Sequence, residues 1–479
     1  MHWIDISIIV IYISLIFSVG ILMRNRINNF SSFMIAGQGL GLSLGVTSML
    51  GTELGLITVM YNAQTGVLQY FSAFHIGLFG FIVTLVIGLS GFVVTKLRDM
   101  NVKSIPEFYG KRFCQKTRII GAFLLVIGGM LNMGIFLNIG AKFIQSIFGF
   151  ESTDQTLKII MALLLLIVLI YTMMGGMISV VVTDYFQFII LSVGLIFCVF
   201  YSILILGWTN IFDSIEKISL NPYNPFASKG SSYVVWQVIL AFVSAVVWPT
   251  AITRALTMKD SKTIKKQYIW SSISFLIRFM IPCFIGICAV VYYQNIDNID
   301  TLSLMPSYLS EILPVGLLGL VIAGMLSAFM STHDSYLLCW STIITNDIIE
   351  PLYGKKISSK NKINISRLII VILGLYILYW GLFYEGSDSV WSYLGITGAI
   401  YFSGAIAVLV GGLYWKKASE IGAILALIGG LSALIGLEPI REYLSINLKP
   451  EQIGLLSLLF TCSMMFFGSL LFPRKEVAK

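Results

Sequence analysis

Thirteen apolar runs, each about as long as a bilayer is thick, dominate the chain, and polar residues gather in the gaps between them. The runs fall near 3–23, 40–61, 67–95, 119–148, 157–174, 178–206, 232–252, 264–293, 312–345, 363–383, 388–413, 419–437 and 452–472. About 20 apolar residues in a helix cross the hydrocarbon core. A helix satisfies all of its backbone polar groups within one segment, which lipid demands. The pattern therefore predicts an all-α integral membrane protein, a single polytopic domain over 1–479 with about thirteen transmembrane helices. The gaps reach about two dozen residues at most, too short for a soluble domain. The first run has no basic stretch before it and no small-residue cleavage pattern after it, so it reads as a retained span.

Composition agrees. Hydrophobic residues make up 57%, charged residues 11%, and mean hydropathy is +0.90. Soluble domains carry about 25% charged residues, so a soluble enzyme and a disordered chain are both excluded. The net charge of +8 comes from 31 Lys and Arg against 23 Asp and Glu. These basic residues sit in loops between apolar runs and form no patch on a polar domain, so no nucleic-acid partner is expected. With the N-terminus outside, the inner loops collect 24 of the 31, including Arg24, Arg26, Arg254, Lys475 and Lys479. The outer loops hold six: Lys142, Lys158, Lys217, Lys229, Arg441 and Lys449. Arg278 alone falls inside a span. The positive-inside rule then predicts a multi-pass plasma (inner) membrane protein with the N-terminus outside and the C-terminus in the cytoplasm. The six Cys form no CxxC pair, which argues against zinc sites and disulfide frameworks.

Two runs look breakable. The second carries Gly37, Gly39, Gly41, Gly45, Gly51 and Gly55 around Thr47-Ser48 and Thr52-Glu53. The seventh contains Ser244 and then Trp248-Pro249-Thr250, where proline removes a donor and frees a carbonyl one turn earlier. These runs stand five apart. Runs 2–6 (40–206) and 7–11 (232–413) thus form two five-helix halves, each opening with a broken helix, flanked by an extra helix at 3–23 and two more at 419–472. Inverted repeats with broken helices are the pattern of secondary transporters. The alternative is that the glycines only allow close helix packing.

The ninth run contains Ser327-Ala328-Phe329-Met330-Ser331-Thr332-His333-Asp334-Ser335. So many polar residues inside a span are costly and point to function. At 100° per residue, Ala328, Ser331, Thr332 and Ser335 share an arc of about 100°. Hydroxyls and a carbonyl on one face suit a hard cation such as sodium, by analogy with hard divalent ions. Interhelical Ser/Thr hydrogen bonding is the alternative. His333 lies well off this face and reads as a packing residue, and Ser331, His333 and Asp334 point in directions that cannot form a catalytic relay.

The chain resembles the sodium:solute symporters, relatives of the sodium/proline, sodium/sialic acid, sodium/pantothenate and sodium/glucose transporters. Three motifs carry the likeness. One runs from Tyr171-Thr172 through Gly175-Gly176 to Thr183-Asp184 and Gln187. The second is Met330-Ser331-Thr332-His333-Asp334-Ser335 followed by Thr345-Asn346-Asp347. The third is Phe33 to Gly41 with Tyr61 and Gly66. Ile105-Pro106-Glu107-Phe108 with Arg112 also fits the loop after the third span. The resemblance implies a LeuT-like 5+5 inverted-repeat fold, alternating access and Na+ as the coupling ion. By position it implies a main sodium site of the Thr47, Leu50 and Ala328 carbonyls with the Ser331 and Thr332 hydroxyls. A second sodium in some members would fall here on Asp184, Asp334 and Ser335; a helix cap is the alternative for Asp184. Sugar-transporting members hold their cargo with polar residues at positions where this chain has Leu54 and Ala73, which counts against a sugar.

Segment membership makes Glu53, Gln69, Ser72, His75, Gln237, Ser244, Trp248, Trp391 and Tyr401 candidates for the solute pocket. Glu53 either contacts a polar or cationic solute or complements the N-terminal dipole of a second half-helix. Arg278 should have an acidic partner. The expected function is sodium-coupled symport of a small polar organic solute by alternating access, in a monomer or weak oligomer surrounded by lipid bilayer. A proton-coupled or uncoupled permease of the same fold is the alternative. A sensor would need a signalling domain, and the chain ends within about ten residues of its last run. No HExxH, P-loop or GxSxG accompanies the three His, so an enzyme is not expected.

Overall fold

Proline and glycine decide where the helices of this protein break. The computed structural model describes residues 2–23, 29–151, 153–174, 176–294, 300–383 and 389–474. Arg24, Arg26, Gly175, Lys475 and Lys479 lie outside them. The chain runs through α1 (Trp3–Met23), α2 (Leu42–Glu53), α3 (Leu56–Gln69), α4 (Phe74–Ser90), α5 (Gln115–Gly134), α6 (Phe136–Ile147), α7 (Asp154–Met174) and α8 (Met177–Leu206). It continues through α9 (Ser231–Val247), α10 (Pro249–Leu256), α11 (Ser261–Tyr293), α12 (Leu317–Ile343), α13 (Ser359–Phe383), α14 (Val390–Tyr414), α15 (Glu420–Gly429) and α16 (Pro450–Leu471). Each of the thirteen apolar runs is helical over most of its described residues. Among the described residues, 8 helices are long and apolar enough to cross a membrane, or up to 9 if a bent pair counts as one span.

The bent pair is α9 and α10, which meet at 42°. Trp248 precedes Pro249 and is extended, with φ −62 and ψ 122, as a residue before proline should be. Pro249 removes the donor that would reach Ala245, and the Tyr268 hydroxyl donates to that carbonyl at 2.9 Å. The same device recurs inside α11. Pro282 releases the Arg278 carbonyl, and Asn62 Nδ2 on α3 donates to it at 3.1 Å. Broken backbone is tolerated in lipid only where other groups satisfy it.

The other break separates α2 from α3. Leu54 leaves helical geometry with ψ 65, and Gly55 is extended with ψ 169. Leu54 N–H still donates to the Leu50 carbonyl at 2.7 Å, so carbonyls are released only from Gly51 onward. Glu53 therefore ends the first half-helix. Of the two expectations for Glu53, this counts against its complementing the N-terminal dipole of the second half-helix: its carboxylate stands at the negative end of a helix dipole, which disfavours it unless a cation is near.

Close helix contacts hold these breaks in register. α11 packs along α3 and α4, and α8 along α12 and α2. A Cβ on Gly66 of α3 would overlap the Cys283 carbonyl of α11, and one on Gly286 would overlap the Ala63 carbonyl. Gly66→Ala is therefore expected to lower stability by about 1–3 kcal/mol, the usual cost of overpacking. A thermal unfolding midpoint equal to that of the parent would refute it. Outward faces are apolar: Ile189, Val193, Ile196, Phe197, Phe200 and Leu204 of α8 are all exposed, as lipid contact requires.

Candidate functional site

The break between α2 and α3 lies against the Ser/Thr face of α12. Gly55 sits so close to that face that a Cβ would overlap Thr332 Oγ1 and lie 3.5 Å from the Ala328 carbonyl oxygen. Thr332 Oγ1 donates to Ala328 O at 3.0 Å. Ser331 Oγ donates to Asp184 Oδ1 of α8 at 2.5 Å and stands 3.4 Å from the Gly51 carbonyl oxygen. A hydroxyl has one proton and two lone pairs. The Ser331 proton goes to the closer Asp184, which leaves the Ser331 and Gly51 oxygens facing each other as acceptors. Ligands at right angles on a cation with bonds of ~2.3–2.6 Å stand ~3.3–3.7 Å apart. An ion of that size fits the pair, and no nitrogen or sulfur is among these groups.

Ala328, Ser331 and Thr332 are thus brought together as expected from helical spacing, whereas the α2 side differs. The Leu50 carbonyl is engaged by Leu54 N–H, and the Thr47 carbonyl lies within the continuous helix Leu42–Glu53, ahead of the break. Gly51, one residue past Leu50, supplies the released carbonyl.

Next to this face is a buried polar cluster. Asp184 Oδ2 accepts from Ser48 Oγ at 2.8 Å, Arg254 Nη2 at 3.1 Å and Thr52 Oγ1 at 3.4 Å. Arg254 is only 2% exposed, so grouping it with the cytoplasmic loops is corrected: α10 carries it into the protein. Asp184 lies about two turns inside α8, whose N-cap is Gly176, so it does not cap that helix. Asp334 Oδ1 accepts from Ser335 Oγ at 3.3 Å, while its Oδ2 is buried without a partner among the described residues. His333 is packed against Phe136 and Phe329, and its Nδ1 lies 2.9 Å from the Phe329 carbonyl oxygen.

Thr332 also borders a cavity with about 130 Å³ of room for the centres of water-sized molecules. Its walls include Tyr61, Phe136, Trp248, Phe275, Tyr336 and Trp391, with Thr52, Thr58, Asn132 and Ser244 as neutral polar groups. Its charged pair is Glu53 and Arg278, joined at 2.7 Å between Oε2 and Nη1. Arg278 Nη1 also donates to the Glu53 carbonyl at 3.2 Å, which supplies the cation that the helix end calls for. Arg278 lies 3.9 Å over the Phe275 ring. Sequence gave no means of choosing that partner, which is 225 positions away.

Of the expected pocket residues, Glu53, Ser244, Trp248 and Trp391 line this cavity. Gln237 lies in an adjoining recess and accepts from Trp391 Nε1 at 3.0 Å. Gln69, Ser72, His75 and Tyr401 are elsewhere, which corrects their assignment. Gln69 bonds Tyr233, and His75 Nδ1 contacts the Ser72 carbonyl. Tyr401 is buried against Gly128. The Thr345–Asp347 motif meets the Ile105–Phe108 loop: Asp347 takes Arg118 Nη2 at 2.7 Å and Ser104 Oγ at 2.6 Å.

The family profile described as the sodium:solute symporter family matches residues 33–430. The chain belongs to the sodium:solute symporter family. This symporter is 24% identical to a sodium/proline symporter 2 of Staphylococcus saprophyticus, over 93% of this chain and 88% of that one. It is 24% identical to the osmoregulated proline transporter OpuE of Bacillus subtilis, covering 89% and 87%. With a sodium/pantothenate symporter of Haemophilus influenzae it shares 25%, covering 71% and 69%. A Na+-coupled sialic acid symporter, solved substrate-bound and outward-open, superposes with a TM-score of 0.84 at 18% identity, covering 99% of this chain and 100% of that one. MhsT in complex with L-phenylalanine gives 0.59 at 15% identity, covering 90% and 98%. The symporter has a LeuT-like fold and is no enzyme; it is a plasma-membrane transporter that couples sodium to the movement of a small solute.

Proposed function

We propose that the aromatic cavity holds the solute and that sodium binds beside it at Thr332, among the oxygens of Ser331, Thr332, Ala328 and Gly51. The observation that carries this reading is the double membership of Thr332, which lines the cavity and belongs to the oxygen face against Gly55. An ion there ties the break in α2–α3 to α12. Sodium raises solute affinity by preferring the arrangement in which those elements meet. Both then leave toward the low-sodium side.

The cavity has one anion and one cation, already paired, within mostly apolar walls. Such a site favours a solute with no net charge that offers both donors and acceptors, because a net ion would leave a charge unbalanced among mostly apolar walls. Proline, carried by two of the relatives, is a solute of this kind. The two halves are 40–206 and 232–413, each opening at one of the breaks. The N-terminus lies outside and the C-terminus in the cytoplasm, and the unit is a monomer or weak oligomer.

A thermal-shift screen of purified protein tests the reading, with neutral zwitterions, carboxylates and sugars presented in sodium or in choline. Zwitterions should stabilise the protein in sodium and do little in choline. Equal stabilisation in both salts would count against sodium coupling at this cavity.

A further inference from the structure

We propose that Arg254 acts as a built-in cation beside the sodium site, so that the symporter binds one sodium ion per chain. Three helices converge around Arg254. Ser48 and Thr52 come from α2, Asp184 from α8, and Ser331, Asp334 and Ser335 from α12. A pocket of hydroxyl and carboxylate oxygens at this density is what a hard monovalent ion needs. The position is taken by a guanidinium. Arg254 Nη2 donates to Ser335 Oγ at 2.6 Å, Thr52 Oγ1 at 2.8 Å and Asp184 Oδ2 at 3.1 Å. Nε donates to Thr52 Oγ1 at 3.0 Å, and Nη1 contacts Met177 Sδ.

Competition favours the tethered group. Its attachment to α10 means that no translational freedom is lost when it occupies the pocket, unlike a free ion. A guanidinium is also always charged and presents several donors in a fixed fork, so it can bridge the three helices at once. The oxygen left over, Asp334 Oδ2, is a single ligand, where a hard cation takes several. The Ser331–Thr332 face remains open because its hydroxyls give their protons to Asp184 and Ala328 and keep their lone pairs free. Arg254 also holds Asp184 where it orients Ser331. One ion position is thereby prebuilt by a side chain and the other left for sodium.

The inference rests on sodium binding at the Ser331–Thr332 face. Equilibrium binding of radioactive 22Na+ to the purified full-length protein, extrapolated to saturation, tests it without any knowledge of the solute. One ion per chain is expected, with a Hill coefficient of about one. Ser335→Ala, which removes one of the oxygens around Arg254, should leave the count unchanged. Arg254→Met vacates the pocket and should raise the count to two. A parent count of two, a loss of bound sodium in Ser335→Ala, or a folded Arg254→Met protein that stays at one overturns the inference. A count of zero in the parent instead removes the sodium reading on which it stands.

Discussion

Replacing Ser331 and Thr332 together by alanine weakens apparent sodium affinity by at least about tenfold. Both hydroxyls face the released Gly51 carbonyl and Gly55 with lone pairs available. Contacts of a charged group are worth about 1.5–3 kcal/mol each, and 1.4 kcal/mol is a factor of ten in affinity. Two such contacts could give far more, but water can replace part of what is lost, so tenfold is the floor. Alanine is the best helix former, and α12 keeps its own backbone bonds, so the variant should still fold. Ser331→Ala alone should do more harm than Thr332→Ala alone. It also strips Asp184 of one of its donors, while the Arg254 and Ser48 bonds remain. The measurement is the sodium concentration at half-maximal thermal stabilisation or 22Na+ binding. An unchanged midpoint in the double variant would place the ion elsewhere.

How much of this was legible in the sequence depends on the distance over which each feature is decided. The apolar runs and the Ser/Thr face of α12 are properties of one helix, read from spacing. The kink at Trp248-Pro249 is decided by two adjacent residues. The α2–α3 break was harder, because six glycines surround it and only packing against Thr332 selects Gly55. Arg254 was misplaced because it stands five residues before Lys259 in a stretch that reads as the start of a polar loop. Hydropathy along a line cannot show that the bend at Pro249 turns α10 back into the protein. Gln69, Ser72 and Tyr401 were assigned by membership in a segment, and a segment presents several faces to different neighbours. The cavity wall draws on residues from 52 to 402, so no local pattern encodes it.

The longest-range of these features leads to the second large effect. Removing the Arg278 side chain by Arg278→Ala should destabilise the protein by about 3 kcal/mol, the low end for breaking a buried ion pair, since the pair borders a cavity that water can enter. The partners are only 12% and 16% exposed, so the abandoned Glu53 carboxylate has little solvent to turn to. It also stands at the C-terminal end of α2, where the helix dipole disfavours it, and loses a donor to its own carbonyl. Arg278 further covers the Phe275 ring, so part of the loss is packing and cation–π contact. Charge and packing can be separated. Glu53→Gln in the Arg278→Ala background removes the stranded anion and should recover much of the stability, while the packing loss persists. Solute-dependent stabilisation should stay weak in both variants, because each lacks the guanidinium that borders the cavity. Thermal unfolding of the four proteins in the cycle gives the coupling energy directly. An Arg278→Ala protein that melts like its parent and responds fully to solute would mean that the pair neither supports the break between α2 and α3 nor reads the cargo.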